Sequence, residues 1–266
     1  MEMRAPGSRV ARLRSALGLD DPLLRGLLIL LWATSAAYVA VHLTHTLAGA
    51  PWHPFFNLGT ERGYAEMFFQ MLTGWSILLL VVAAVRRRAG ILVVFAGFAA
   101  YLLVDDYFQL HERSGTAFGR WFDREVVYLQ GLATHLGEAL YLAAVGVVVV
   151  TAFLVAYRLA RPEVRRMART LALLFAALAF FGGAIDIVHA PFIDAPVIDP
   201  IFIALEDGGE IAVMSLIAVF ALGLAYGGRD GSARFAGTHG APAAAAAPDG
   251  PAAPDADAAR PAASPV

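Results

Sequence analysis

Six apolar runs, each near the ~20 residues a helix needs to cross bilayer hydrocarbon, dominate this 266-residue chain. They cover about Pro22 to Thr46, Tyr64 to Val85, Ala89 to Leu110, Leu132 to Tyr157, Thr170 to Ala190 and Ile201 to Tyr226. Inside a bilayer an open chain satisfies its backbone only as a helix. The expected fold is therefore all-α: a polytopic membrane helix bundle with about six transmembrane helices. Composition agrees, with 59% hydrophobic and 16% charged residues and a mean hydropathy of +0.63, the profile of a multi-span protein with short loops. The first run exceeds the ~7–15 apolar residues of a secretory signal core, and Pro51 would follow a cut at Ala48-Gly49-Ala50, so it is expected to stay as an uncleaved span.

The spans divide the chain into a basic N-terminal tail (1–21), a transmembrane domain (22–226) and an Ala/Pro-rich tail (227–266) too poor in apolar groups to order itself. Every one of the 20 basic residues is an arginine, and their placement sets the orientation. Sixteen, counting Arg25 with the N-terminal tail, lie in the two tails, between the second and third spans, or between the fourth and fifth. The other four, Arg62, Arg113, Arg120 and Arg124, lie in the alternate loops. By the positive-inside rule both termini are expected to be cytoplasmic, in a bacterial inner (plasma) membrane. The stretch Thr116 to Val127 is expected to lie along the outer interface. The bilayer itself is the expected partner. No P-loop or dinucleotide-binding glycine fingerprint is present, no nucleic-acid partner is expected, and the absence of cysteine excludes disulfides and thiolate metal sites.

Against this apolar background the ionisable groups stand out, because a charge at the bilayer centre costs roughly 3 kcal/mol or more. The third span ends in Asp105-Asp106-Tyr107-Phe108-Gln109-Leu110-His111-Glu112. The fourth opens with His135 and Glu138, the fifth closes with Asp186 and His189, and the sixth carries Glu206, Asp207 and Glu210. His42, His45 and Glu66 sit at the same level on the first two spans. Six of the seven histidines and 14 of the 22 acids thus fall on the outer side. Spacings of i,i+3, i,i+4 and, for Asp105, Gln109 and Glu112, i,i+4,i+7 place each set on one helix face. His111 lies off the Glu112 face unless the helix unwinds there. Taken singly, Asp186–His189 reads as a helix-end polar pair, the 206–210 acids read as helix N-terminal carboxylates favoured by the dipole, and Glu61 and Arg62 read as solvated.

Taken together, carboxylates and imidazoles without sulfur suit a divalent metal, Zn, Fe or Mn, in the manner of a helix-bundle di-metal site. The expected ligands are His111, His135, Glu138, Asp186, His189, Glu206 and Glu210. Glu112 is the expected general base, and Asp105 and Asp106 are expected to hold ligand imidazoles or relay protons.

The motifs Asp105-Asp106 with His111-Glu112, and Glu206-Asp207-Gly208 with Glu210, resemble those of a group of uncharacterised bacterial multi-pass membrane proteins. The resemblance runs from the first span to the sixth. It implies a helical membrane fold and brings no established activity. More distantly the layout is similar to that of the alkaline ceramidase-like membrane hydrolases, where intramembrane His and Asp residues hold zinc. This chain lacks their late His-x-x-x-His pair and has six spans to their seven. The function expected is a metal-dependent hydrolase or oxidase acting on a lipid or small amphiphile. The alternatives are a proton- or cation-coupled transporter or ion-handling protein, and a haem-binding membrane protein. Sequence names neither the substrate nor the oligomeric state.

Overall fold

Each end of the first long helix is written into its sequence. In the computed structural model, which describes residues 9–123, 132–193 and 195–227, a short helix α1 (Arg9–Ala16) precedes α2 (Pro22–Ala48). Asp21 caps α2 by accepting from the Leu23 N–H at 2.9 Å, Pro22 occupies the first turn, and Gly49 ends the helix in the left-handed region at φ 69, where a Cβ is costly. There follow α3 (Tyr64–Arg87), α4 (Gly90–Phe108), α5 (Leu110–Asp123), α6 (Leu132–Leu159), α7 (Pro162–Ala179), a π-helical turn (Phe180–Ile185), α8 (Asp186–His189) and α9 (Ile198–Tyr226). No strand occurs among the described residues. Six helices are long and apolar enough to cross a membrane: α2, α3, α4, α6, the continuous α7–π–α8 and α9. The protein is a multi-pass helical membrane protein.

Helix α9 is the axis of the bundle. It packs against α2, α3 and α7, and Met214, Ile217, Phe220 and Leu224 on it are fully buried with Leu72 and Leu80 of α3. Phe95 of α4 stacks on Phe175 of α7 at 5.5 Å. Buried hydroxyls in this core are satisfied within their own helices: Thr73, Ser76 and Ser215 donate to the carbonyls of Phe69, Leu72 and Ile211 at 2.8–2.9 Å, as apolar surroundings require. At one end of the bundle Arg86 and Arg87 of α3 donate to the Ala225 and Leu224 carbonyls at 2.8 and 2.7 Å, closing the last turn of α9 with cations. The opposite end carries the acids and histidines.

Most span ends differ by a few residues from the sequence expectation, and two of the differences matter most. The fifth span begins at Pro162 rather than Thr170, because proline suits a first helical turn; its first turns carry Arg165, Arg166 and Arg169. The third stops at Phe108, not Leu110. Gln109 adopts the left-handed region at φ 51 and ends α4, and α5 starts one residue later. Asp105, Gln109 and Glu112 therefore do not share one helix face: the third belongs to another helix. The described part of the expected interface stretch, through Asp123, is the second half of α5, which packs along α6. The remainder of that stretch lies outside the described residues, as does the Ala/Pro-rich tail beyond Gly227.

Candidate functional site

The break at Gln109 builds the centre of the acid-rich end. Because the chain turns there, Asp105 at the end of α4 meets the start of α5. Its Oδ1 accepts from the His111 backbone N–H at 3.1 Å, satisfying a donor that a helix start leaves open. Its Oδ2 lies 2.8 Å from His111 Nδ1. Asp105 is buried, 6% exposed, so one carboxylate both starts α5 and fixes the imidazole. Hydrogen bonding at Nδ1 places the other nitrogen, Nε2, on the side of Glu112, 3.9 Å from Oε1.

Around this pair lies a cavity of about 180 Å³ whose lining includes Glu61, Glu66, Asp106, Glu112, Asp207 and Glu210, with Arg62 and His111. Four helices, α3, α4, α5 and α9, and the loop before α3 supply it. Gln70 of α3 bridges two of the acids, donating to Glu66 Oε1 at 2.7 Å and Asp106 Oδ2 at 3.0 Å. Gln109 donates to Glu61 Oε1 at 2.7 Å, and the Arg62 backbone N–H donates to Glu66. Arg62 and Gln109, two of the three non-glycine residues with positive φ among the described residues, both line the cavity, and strain of that kind gathers at functional sites. Leu58, Phe69 and Tyr107 give the same cavity an apolar side.

A second set lies between α8 and α9. His189 is buried and faces two carboxylates, Asp199 Oδ1 from Nε2 at 2.8 Å and Glu206 Oε2 from Nδ1 at 3.4 Å. Its ring stacks on Phe202 at 5.3 Å. Glu206 is one turn from Glu210, so α9 carries the link between this set and the cavity. The π-helical turn makes room for that link: a Cβ on Gly182 would run into the Glu210 carboxylate. Wide turns of this type recur at functional sites. Because α9 starts at Ile198, Glu206 is two turns inside the helix, which removes the N-terminal dipole as the reason for acids here.

The expected residues are thus divided. Asp106, His111, Glu112 and Glu210 line the cavity, and Asp105 orients His111 from behind. His189 and Glu206 form the neighbouring set, joined by Asp199, which the sequence reading passed over. Asp186 is exposed on α8 rather than paired with His189. Glu138 stands on the seam between α5 and α6, against Gly115. The His135 side chain lies outside the described residues. Among the described residues no three His, Asp or Glu side chains are placed to hold one bare metal ion. Glu61, Arg62, Glu66 and Asp207 enter the cavity without having been assigned a role. Of the first-span histidines, His42 is a strut: Nδ1 accepts from the Leu58 N–H at 3.2 Å and Nε2 donates to the Pro200 carbonyl at 3.0 Å. His53 caps the short 3-10 turn Pro54–Phe56.

Residues 22–224 match the family described as Domain of unknown function (DUF8692). The chain belongs to that family. The match takes in both motifs and all six spans but for the last two residues of the sixth, and leaves out residues 1–21 and 225–266. No curated protein and no solved structure matches the chain.

Proposed function

We propose that this DUF8692 protein binds a hydrated divalent cation in the carboxylate-lined cavity, at the outer face of a bacterial inner membrane with both termini in the cytoplasm. The observation that carries the reading is the charge balance of the lining: six carboxylates against one guanidinium and one imidazole. Two carboxylates 4 Å apart repel by about 4 kcal/mol at an effective dielectric of 20, so such a group needs cations or protons to persist together. The cavity is wide enough for several waters, which suits an ion that keeps part of its hydration. An oxygen-rich set with one imidazole favours Mn- or Mg-like ions over thiophilic ones. Asp105 holding His111 at Nδ1 is the arrangement that ligand imidazoles ordinarily have.

A bound divalent cation would supply Lewis acidity and an activated water. Within this chain, Glu112, with its side chain half exposed, is placed to take a proton from that water, while Asp105 holds the His111 imidazole toward the ion. The mixed lining suits the polar end of a lipid or small amphiphile, so hydrolysis of such a substrate is the reaction favoured. Passage of an ion across the membrane is not favoured: below the cavity α9 buries Met214, Ile217 and Phe220, and the buried hydroxyls donate to their own helices. Haem ligation is also disfavoured, since His42 and His189 each have both ring nitrogens engaged by protein groups.

Equilibrium dialysis of the detergent-purified protein against Mn²⁺ tests the reading. One ion per chain is expected, with affinity at least tenfold weaker in Asp106→Asn and Glu210→Gln. Wild-type protein that retains no more Mn²⁺ than a buffer blank would overturn it.

A further inference from the structure

The arginine-rich end holds a groove that the cavity reading leaves unused. It runs between α4, α6 and the start of α7, with a volume of about 530 Å³, and its walls include Ile91, Val94, Ala152, Val155 and Leu159. Arg88 and Arg161 stand at its mouth. Both also line an adjoining cavity of about 480 Å³ with Arg86 and Arg87. The four arginines are not equivalent. Arg86 and Arg87 are bonded to carbonyls at the end of α9. The side chains of Arg88 and Arg161 make no hydrogen bond or ion pair among the described residues, and both are exposed. One carboxylate, Glu163, lies among the lining residues of the two cavities.

Arg88 is held in place by the backbone. It ends α3 in the left-handed region at φ 51, which turns the chain into α4 beside the groove. Arg161 immediately precedes α7, whose first turn has no side-chain cap. A helix start with open N–H groups carries partial positive charge, adding to the two guanidiniums. An apolar trough between spans therefore opens on two cations and a helix N-terminus at the level where headgroups lie.

We propose that this groove binds one anionic phospholipid, an acyl chain lying along α4 and α6 and the headgroup phosphate between Arg88 and Arg161. Arginine pairs with phosphate through paired N–H donors, and basic pockets between spans are where anionic headgroups dock. The apolar walls select a lipid over free phosphate.

The test uses the full chain in phosphatidylcholine nanodiscs doped with phosphatidylglycerol, with retained lipid counted by native mass spectrometry after release into detergent. Wild type is expected to retain one phosphatidylglycerol in preference to phosphatidylcholine. Each exposed arginine near a membrane surface contributes about fivefold in affinity, so Arg88→Gln/Arg161→Gln is expected to lose roughly 30-fold. Ala152→Trp, which fills the exposed wall and keeps both cations, is expected to lose retention as well. Arg120→Gln, at the other end, leaves it unchanged. Inorganic phosphate at equal concentration is expected not to displace the lipid. Equal retention of the two lipids by wild type, undiminished retention in either the double variant or Ala152→Trp, or displacement by phosphate, would each overturn the proposal.

Discussion

Asp105 does two jobs with one carboxylate, and they can be separated. As a helix cap it contributes about 1 kcal/mol of stability; as the partner of His111 Nδ1 it sets which nitrogen faces the cavity. Asp105→Asn keeps an acceptor for the His111 N–H but offers the ring an amide. Titration calorimetry is expected to show Mn²⁺ affinity reduced 10–100-fold, the usual effect of losing a ligand's supporting carboxylate, with little change in thermal stability. A purely structural Asp105 would give the opposite pattern. Gly182 is the second informative residue. Its missing Cβ is the space that Glu210 occupies, so Gly182→Ala forces the carboxylate or the π-helical turn to move. A loss of about 1–3 kcal/mol is expected from overpacking, read by thermal unfolding in detergent, together with weakened Mn²⁺ binding. That Asp105 supports an imidazole was an expectation from the sequence; that the imidazole is His111, and that Glu210 fills the space at Gly182, were not legible there. The Asp105–His111 pairing is six residues apart, a separation that shares no face of a continuous helix, and Asp199 meets His189 only because the chain reverses between α8 and α9.

Between elements, the decisive feature is the stop at Gln109. Nothing in Phe-Gln-Leu-His announces a helix end: there is no glycine, proline or asparagine, and the left-handed residue is a glutamine. Hydropathy therefore runs the third span on to Leu110 and aligns Asp105 with Glu112 across a break. Because Gln109 holds φ 51, a β-branched residue there is disfavoured, and Gln109→Val is expected to destabilise the protein by about 1–2 kcal/mol, whereas Gln109→Gly relieves the backbone but removes the hydrogen bond to Glu61. Thermal unfolding of the two variants checks the order. His42 joins three elements, α2, the loop at Leu58 and α9 at Pro200. His42→Ala leaves a buried donor and a buried acceptor unpaired, and a loss of about 2–4 kcal/mol is expected. What hydropathy could supply at this scale was the number of spans. The helices are apolar nearly all round, so sequence could not say how each is rotated, and hence which acids look at one another.

For the whole molecule, the segregation of charge was the most readable property. Arginines at one end and acids with histidines at the other emerge from the span boundaries alone, and the folded bundle keeps Arg86, Arg87 and Arg161 together and the carboxylates together. The orientation we propose has both termini in the cytoplasm. A fluorescent-protein fusion after Tyr226 is expected to glow and an alkaline phosphatase fusion there to be inactive; the reverse would invert the bundle and put the acidic cavity inside the cell. On the reading proposed above, the acid-rich end holds a divalent cation at the cavity beside His111. Anomalous diffraction from crystals soaked in Mn²⁺ measures this directly. A single peak is expected within the cavity, among His111, Asp106 and Glu210, while a peak confined to His189 and Asp199, or no peak at Mn²⁺ concentrations that saturate exposed carboxylates, would contradict it.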